Sequence, residues 1–77
     1  MKRIVTYDVK EGNDYNDFYA YVDKVKGVRI TESTYELDTS LSQEQFEVKI
    51  KSLFNKGDNV SYISVNKKKE LYYKKLV

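Results

Sequence analysis

A chain of 77 residues makes one domain, and a domain that short buries only about 60% of its unfolded surface. It has no cysteine and no histidine, which excludes disulfides, thiolate zinc sites, cysteine nucleophiles, Ser-His-Asp chemistry and the commonest transition-metal ligand. The net charge of +2 conceals an asymmetry: residues 1–48 sum to −4 and residues 49–77 to +6, which suits a surface meeting phosphate or the acidic half of another molecule.

Without staples, the extra buried surface is expected to come from a homodimer. The apolar stretch at Met1–Asp8 is too short and too polar for a signal peptide or a membrane span. A cytoplasmic protein with no membrane partner is therefore expected.

In chain order, residues 2–9 carry the β-formers Ile4, Val5, Tyr7 and Val9 and read as a strand buried on both faces. Lys10–Asn13 is a loop, and Asn13 or Asp14 can cap a helix over 14–26. Tyr15, Phe18, Val22 and Val25 fall at helical spacing there, with Tyr19 widening the stripe. Gly27 is placed to end the helix as its left-handed residue. Val28-Arg29-Ile30 opens an extended segment. From Thr34 to Thr39 the pattern alternates, Tyr35, Leu37 and Thr39 against Glu36 and Asp38, giving a strand with one wet face. Ser42-Gln43-Glu44-Gln45 is a capping box. It opens a second helix with Phe46, Ile50, Leu53 and Phe54 on its buried side, stopped by Gly57. Val60–Val65 alternates as another strand, and residues 66–77 form a basic tail with a short terminal strand.

The order β-α-β-β-α-β predicts a single α+β domain over residues 1–77. Its fold is ferredoxin-like: a four-stranded antiparallel sheet with two helices on one face. By position most tyrosines belong to core or interface, with Tyr21 and Tyr73 expected at the surface.

Several short motifs then occur together in order. They are Ile4-Val5-Thr6-Tyr7-Asp8-Val9, Gly12-Asn13-Asp14-Tyr15-Asn16-Asp17, Glu32-Ser33-Thr34-Tyr35, Thr39-Ser40-Leu41-Ser42 and the acidic turn Gly57-Asp58. Over most of residues 1–66 the chain resembles the small CRISPR-associated adaptation protein, the dimeric partner of the CRISPR integrase, and within that group its SinR-like relatives. It departs from the adaptation protein's Gln-Tyr-Ser-Val-Phe type of run at Glu32–Tyr35. The resemblance implies a ferredoxin-like dimer formed through the sheets, often with a terminal strand crossing to the partner. It also implies magnesium-dependent nuclease activity, with Asp8 as metal ligand and catalytic residue.

Any metal here must be a hard, oxygen-bound ion such as magnesium, manganese or calcium, and magnesium is the one the resemblance implies. Two copies of Asp8 across a dimer axis would hold it; the other reading is that Asp8 caps the strand end and bonds nearby loop amides. Ser33 and Thr34 are supporting polar residues for phosphate or a metal-bound water, or else satisfy backbone groups at a strand junction. Lys67, Lys68, Lys69, Lys74 and Lys75 with Tyr72 and Tyr73 make a candidate DNA- or RNA-binding strip. The same lysines also serve to keep a sheet edge soluble. The alternative to nucleic-acid binding is a non-catalytic module that grips a protein partner.

Overall fold

The structure, a computed structural model, describes residues 1–65. The expected terminal strand, Tyr73 and the basic strip lie outside the described residues. The elements run β1 (Lys2–Tyr7), α1 (Asn16–Lys24), β2 (Val28–Thr31), β3 (Thr34–Asp38), α2 (Gln43–Leu53) and β4 (Val60–Val65). One antiparallel sheet has the order β2-β3-β1-β4, which is the expected ferredoxin-like arrangement. β1 is thus central, with Val5 facing Tyr35 on one side and Tyr62 on the other.

Strand alternation divides β1 into two faces. Arg3, Val5 and Tyr7 are buried while Lys2 and Thr6 are exposed, so β1 is covered on one face, not both, and it ends at Tyr7 instead of running to residue 9. Tyr35 and Leu37 of β3 join the covered face. Phe18, Tyr21 and Val22 of α1, and Phe46 and Ile50 of α2, close over it. The opposite face keeps Ile4 half-buried and leaves Ile63 and Val28 about half exposed, at 52% and 57%. Apolar side chains therefore stand on a sheet face that no element of this chain covers among the described residues.

Local chemistry explains the helix ends. Ser42 and Gln45 form the reciprocal capping box at the start of α2. α1 begins later than residue 14, because Asp14 Oδ1 accepts from the Asn16 amide at 2.7 Å and holds the entry as a turn. Its end differs from expectation too. Lys26, not Gly27, takes the left-handed conformation (φ 56°). The Gly27 amide bonds Val22 O and the Lys26 amide bonds Asp23 O, a complete Schellman closure. Gly27 is needed for space: a Cβ there would lie 2.5 Å from Leu37 Cδ2 and 3.1 Å from Glu36 O. Gly57 likewise does not stop α2, which ends at Leu53; its φ of 92° serves the Asn55–Asp58 turn. Tyr21 is buried, not exposed, with the Lys49 ammonium 5.2 Å from its ring centre.

Lys26→Gly removes the left-handed strain while loosening the unfolded chain. A net gain of about 0.5 kcal/mol, or ~2–4 °C in Tm, is expected by differential scanning calorimetry. A lower Tm would contradict this account of the cap.

Candidate functional site

β1 is the central strand, so its C-terminal end is gripped from both sides. The Tyr7 amide donates to Ser33 O at 3.1 Å, and the Asp8 amide donates to Asn59 O at 3.0 Å. Continuing the Tyr7–Val60 register by one residue sets Asp8 opposite Asn59. There the Asn59 Nδ2 donates to Asp8 Oδ2 at 3.2 Å. Asp8 is exposed, and its Oδ1 carries no hydrogen bond among the described residues. The strand-end reading therefore describes the contacts of Asp8, and one carboxylate oxygen remains open.

The loops around Asp8 are laced together. The Tyr15 hydroxyl accepts from the Lys10 amide at 2.8 Å and lies 3.4 Å from the Asp8 carbonyl, pinning the chain on both sides of Val9. Asp58 Oδ1 accepts from Asn13 Nδ2, and its Oδ2 from the Asn55 amide, both at 2.8 Å. Asn55 Nδ2 reaches Asp14 O at 3.3 Å, and the Lys10 ammonium donates to Gly57 O. Both oxygens of Asp58 are thus spent on holding the α2–β4 loop against the β1–α1 loop.

Ser33 and Thr34 sit at the same end of the sheet as Asp8. The Ser33 amide donates to Thr31 Oγ1 at 3.3 Å, and its carbonyl accepts from the Tyr7 amide. Thr34 Oγ1 shares a hydrogen bond of 3.2 Å with Thr6 Oγ1. Their present contacts satisfy the strand junction. The Tyr7 phenol, next to Asp8 in sequence but on the covered face, is structural as well: burial, then its hydrogen bond to the Tyr19 hydroxyl (3.0 Å), pushes Tyr7 far above the ordinary tyrosine range. It stays neutral and is no general base.

Among the described residues no three carboxylates gather around a metal position. A single exposed carboxylate with one open oxygen suits a hard cation chemically, but one protomer supplies too few ligands. A second Asp8 would be required. The surrounding charge points the same way. In sequence, Glu11, Asp14 and Asp17 follow Asp8 closely against Lys10, so this stretch is net acidic and disfavours phosphate without a cation between them. A groove of about 560 Å³ runs between α2 and β4 to the Asn55–Asp58 turn, lined also by Ile50, Phe54, Val60 and Tyr62 and by the exposed Lys51 and Lys56. No helix among the described residues is long and apolar enough to cross a membrane.

Two residues escaped the sequence reading. Arg3 shares the alternation of Val5 and Tyr7, and that spacing alone assigns it to the covered face. Asn59 is separated from Asp8 by 51 residues; the antiparallel pairing of first and last strands was the signal that could have found it.

A family model described as CRISPR associated protein Cas2 matches residues 1–71, a span that includes every element above together with Asp8 and Asn59. No curated protein matches the chain. The match bears on the adaptation-protein part of the resemblance, and nothing found bears on its SinR-like part.

Proposed function

The chain belongs to the CRISPR-associated Cas2 family, and from that premise we propose that it works in CRISPR adaptation as a homodimer that binds nucleic acid, with a magnesium-dependent nuclease centre built on Asp8. The observation that carries the catalytic part is the Asp8 carboxylate itself, exposed at the end of the central strand with one oxygen held and the other open.

The dimer is supported by the sheet face that no described element covers, where Ile4, Val28 and Ile63 gain from burial against a second copy. Bound magnesium would supply charge neutralisation and a positioned water for phosphodiester cleavage. The chain's own part is narrower. Asp8 from each protomer offers oxygen ligands, and the Ser33–Thr34 junction borders the same end of the sheet. Lys67, Lys68, Lys69, Lys74 and Lys75 are proposed phosphate contacts, with Tyr72 and Tyr73 as stacking partners.

The test is cleavage of labelled single- and double-stranded DNA and RNA with magnesium, manganese or EDTA, on wild type and Asp8→Asn. Metal-dependent cleavage is expected, falling about 100-fold or more in Asp8→Asn, since even outer-shell changes at metal sites cost 10–100-fold. Equal cleavage by both proteins would remove Asp8 from the reaction. Retarded bands without cleavage would leave a binding protein that is not an enzyme. No cleavage and no retardation at low salt would favour the protein-gripping module.

A further inference from the structure

Asp8 and Asp58 both stand at this end of the sheet, and the loop residues around them treat the two differently. Asp58 has both oxygens consumed, by Asn13 Nδ2 and the Asn55 amide. Asp8 has one oxygen held, by the amide side chain of Asn59, whose backbone carbonyl also receives the Asp8 amide. We infer that Asn59 is a positioning residue for the Asp8 carboxylate, fixing its orientation so that Oδ1 faces outward for a divalent cation. This inference rests on the metal-binding reading above.

An exposed aspartate at a strand end turns freely about χ1 and χ2, and that freedom is lost when an ion is gripped. Asn59 removes much of it in advance. Its own backbone is fixed by the bond to the Asp8 amide, and its neighbour Asp58 is tied to Asn13 and Asn55. The side chain donates a neutral N–H, so it orders the carboxylate without supplying a competing positive charge. An amide donor also leaves the second oxygen available, whereas a forked guanidinium would take both.

The experiment uses the full chain and manganese alone as probe, with free Mn2+ read by electron paramagnetic resonance. Asn59→Ala keeps the backbone bond and removes the donor. Its Mn2+ dissociation constant is expected to rise about 10-fold, in the range for lost outer-shell partners, with Tm nearly unchanged because Asn59 is exposed. Asn55→Ala is the structural control: it loses the Asp14 contact in the same turn and should leave Mn2+ affinity within ~2-fold. In cleavage assays Asn59→Ala should raise the Mg2+ midpoint by a similar factor, with the rate at saturating metal within ~3-fold. If Asn59→Ala binds Mn2+ as tightly as wild type while Asp8→Asn binds it weakly, the Asn59 role is overturned and the metal site stands. If Asp8→Asn also matches wild type, the metal reading falls and the Asn59 role falls with it.

Discussion

Phe18→Ala lowers the melting temperature by about 15–30 °C; this is the expected result, and it follows from the aromatic packing of the covered face. Phe18 is fully buried. Its ring meets Tyr7 and Tyr35 edge-on at 5.5 and 5.2 Å and lies 4.9 Å from Phe54. It therefore joins α1 to β1, β3 and the end of α2 at once. Truncating a buried phenylalanine costs about 3–5 kcal/mol. A domain of this size has about 4–12 kcal/mol in all, so the variant retains little stability at the lower end of that range. Each kcal/mol moves Tm by about 4–8 °C in so small a chain. Near-ultraviolet circular dichroism during heating is the measurement, since tyrosines surround the ring. A fall of under ~5 °C would mean that α1 packs otherwise. Val48→Ala, at a side chain 70% exposed on α2, is the matched control and should stay within about 0.5 kcal/mol.

Arg3 supports the second large prediction, and here two substitutions part company. Arg3 is 2% exposed, and its guanidinium lies 4.8 Å from the Phe46 ring centre and 5.7 Å from that of Tyr62. It donates to Ser64 Oγ at 2.6 Å and to Leu41 O at 3.1 Å, while its Nε is buried without a partner. No carboxylate pairs with it among the described residues. A cation so placed gains from the aromatic faces, yet it bears a desolvation cost that no ion pair offsets. Arg3→Ala empties the space between two rings and is expected to cost about 2–4 kcal/mol. Arg3→Met refills most of that space without the charge, and should lie within about 1 kcal/mol of wild type. Urea unfolding curves compare the three. If the Met variant falls as far as the Ala variant, the hydrogen bonds to Ser64 and Leu41 hold this corner, and side-chain packing contributes little.

What the sequence made legible was whatever is encoded locally. The alternation at Thr34–Thr39 and the Ser42–Gln45 box are read within a few residues, and the structure repeats both. The Schellman closure was misassigned because glycine is the usual left-handed residue, whereas packing against Leu37 requires Gly27 one position further on. Tyr21 looked exposed on α1 alone; it is covered by Lys49 of α2, a neighbour 28 positions away that helical spacing cannot reveal. Asp8 stood out by its place at a strand end. Its partner Asn59 and the full engagement of Asp58 depend on which loops the sheet order brings together, and no local pattern carries that.

The sheet order also sets the timing of assembly. β1 is made first and occupies the centre, yet one of its two neighbours is β4, the last described strand, with Tyr7 paired to Val60. During synthesis the central strand must wait for the chain's later half before its second edge is satisfied. Pairing across so long a loop is entropically slow. Asp8 and Asn59 meet only when that final strand docks, so a nascent or partly folded chain carries the carboxylate without its clamp. The Asp8–Asn59 contact therefore depends on the pairing of the two strands furthest apart in sequence among the described residues.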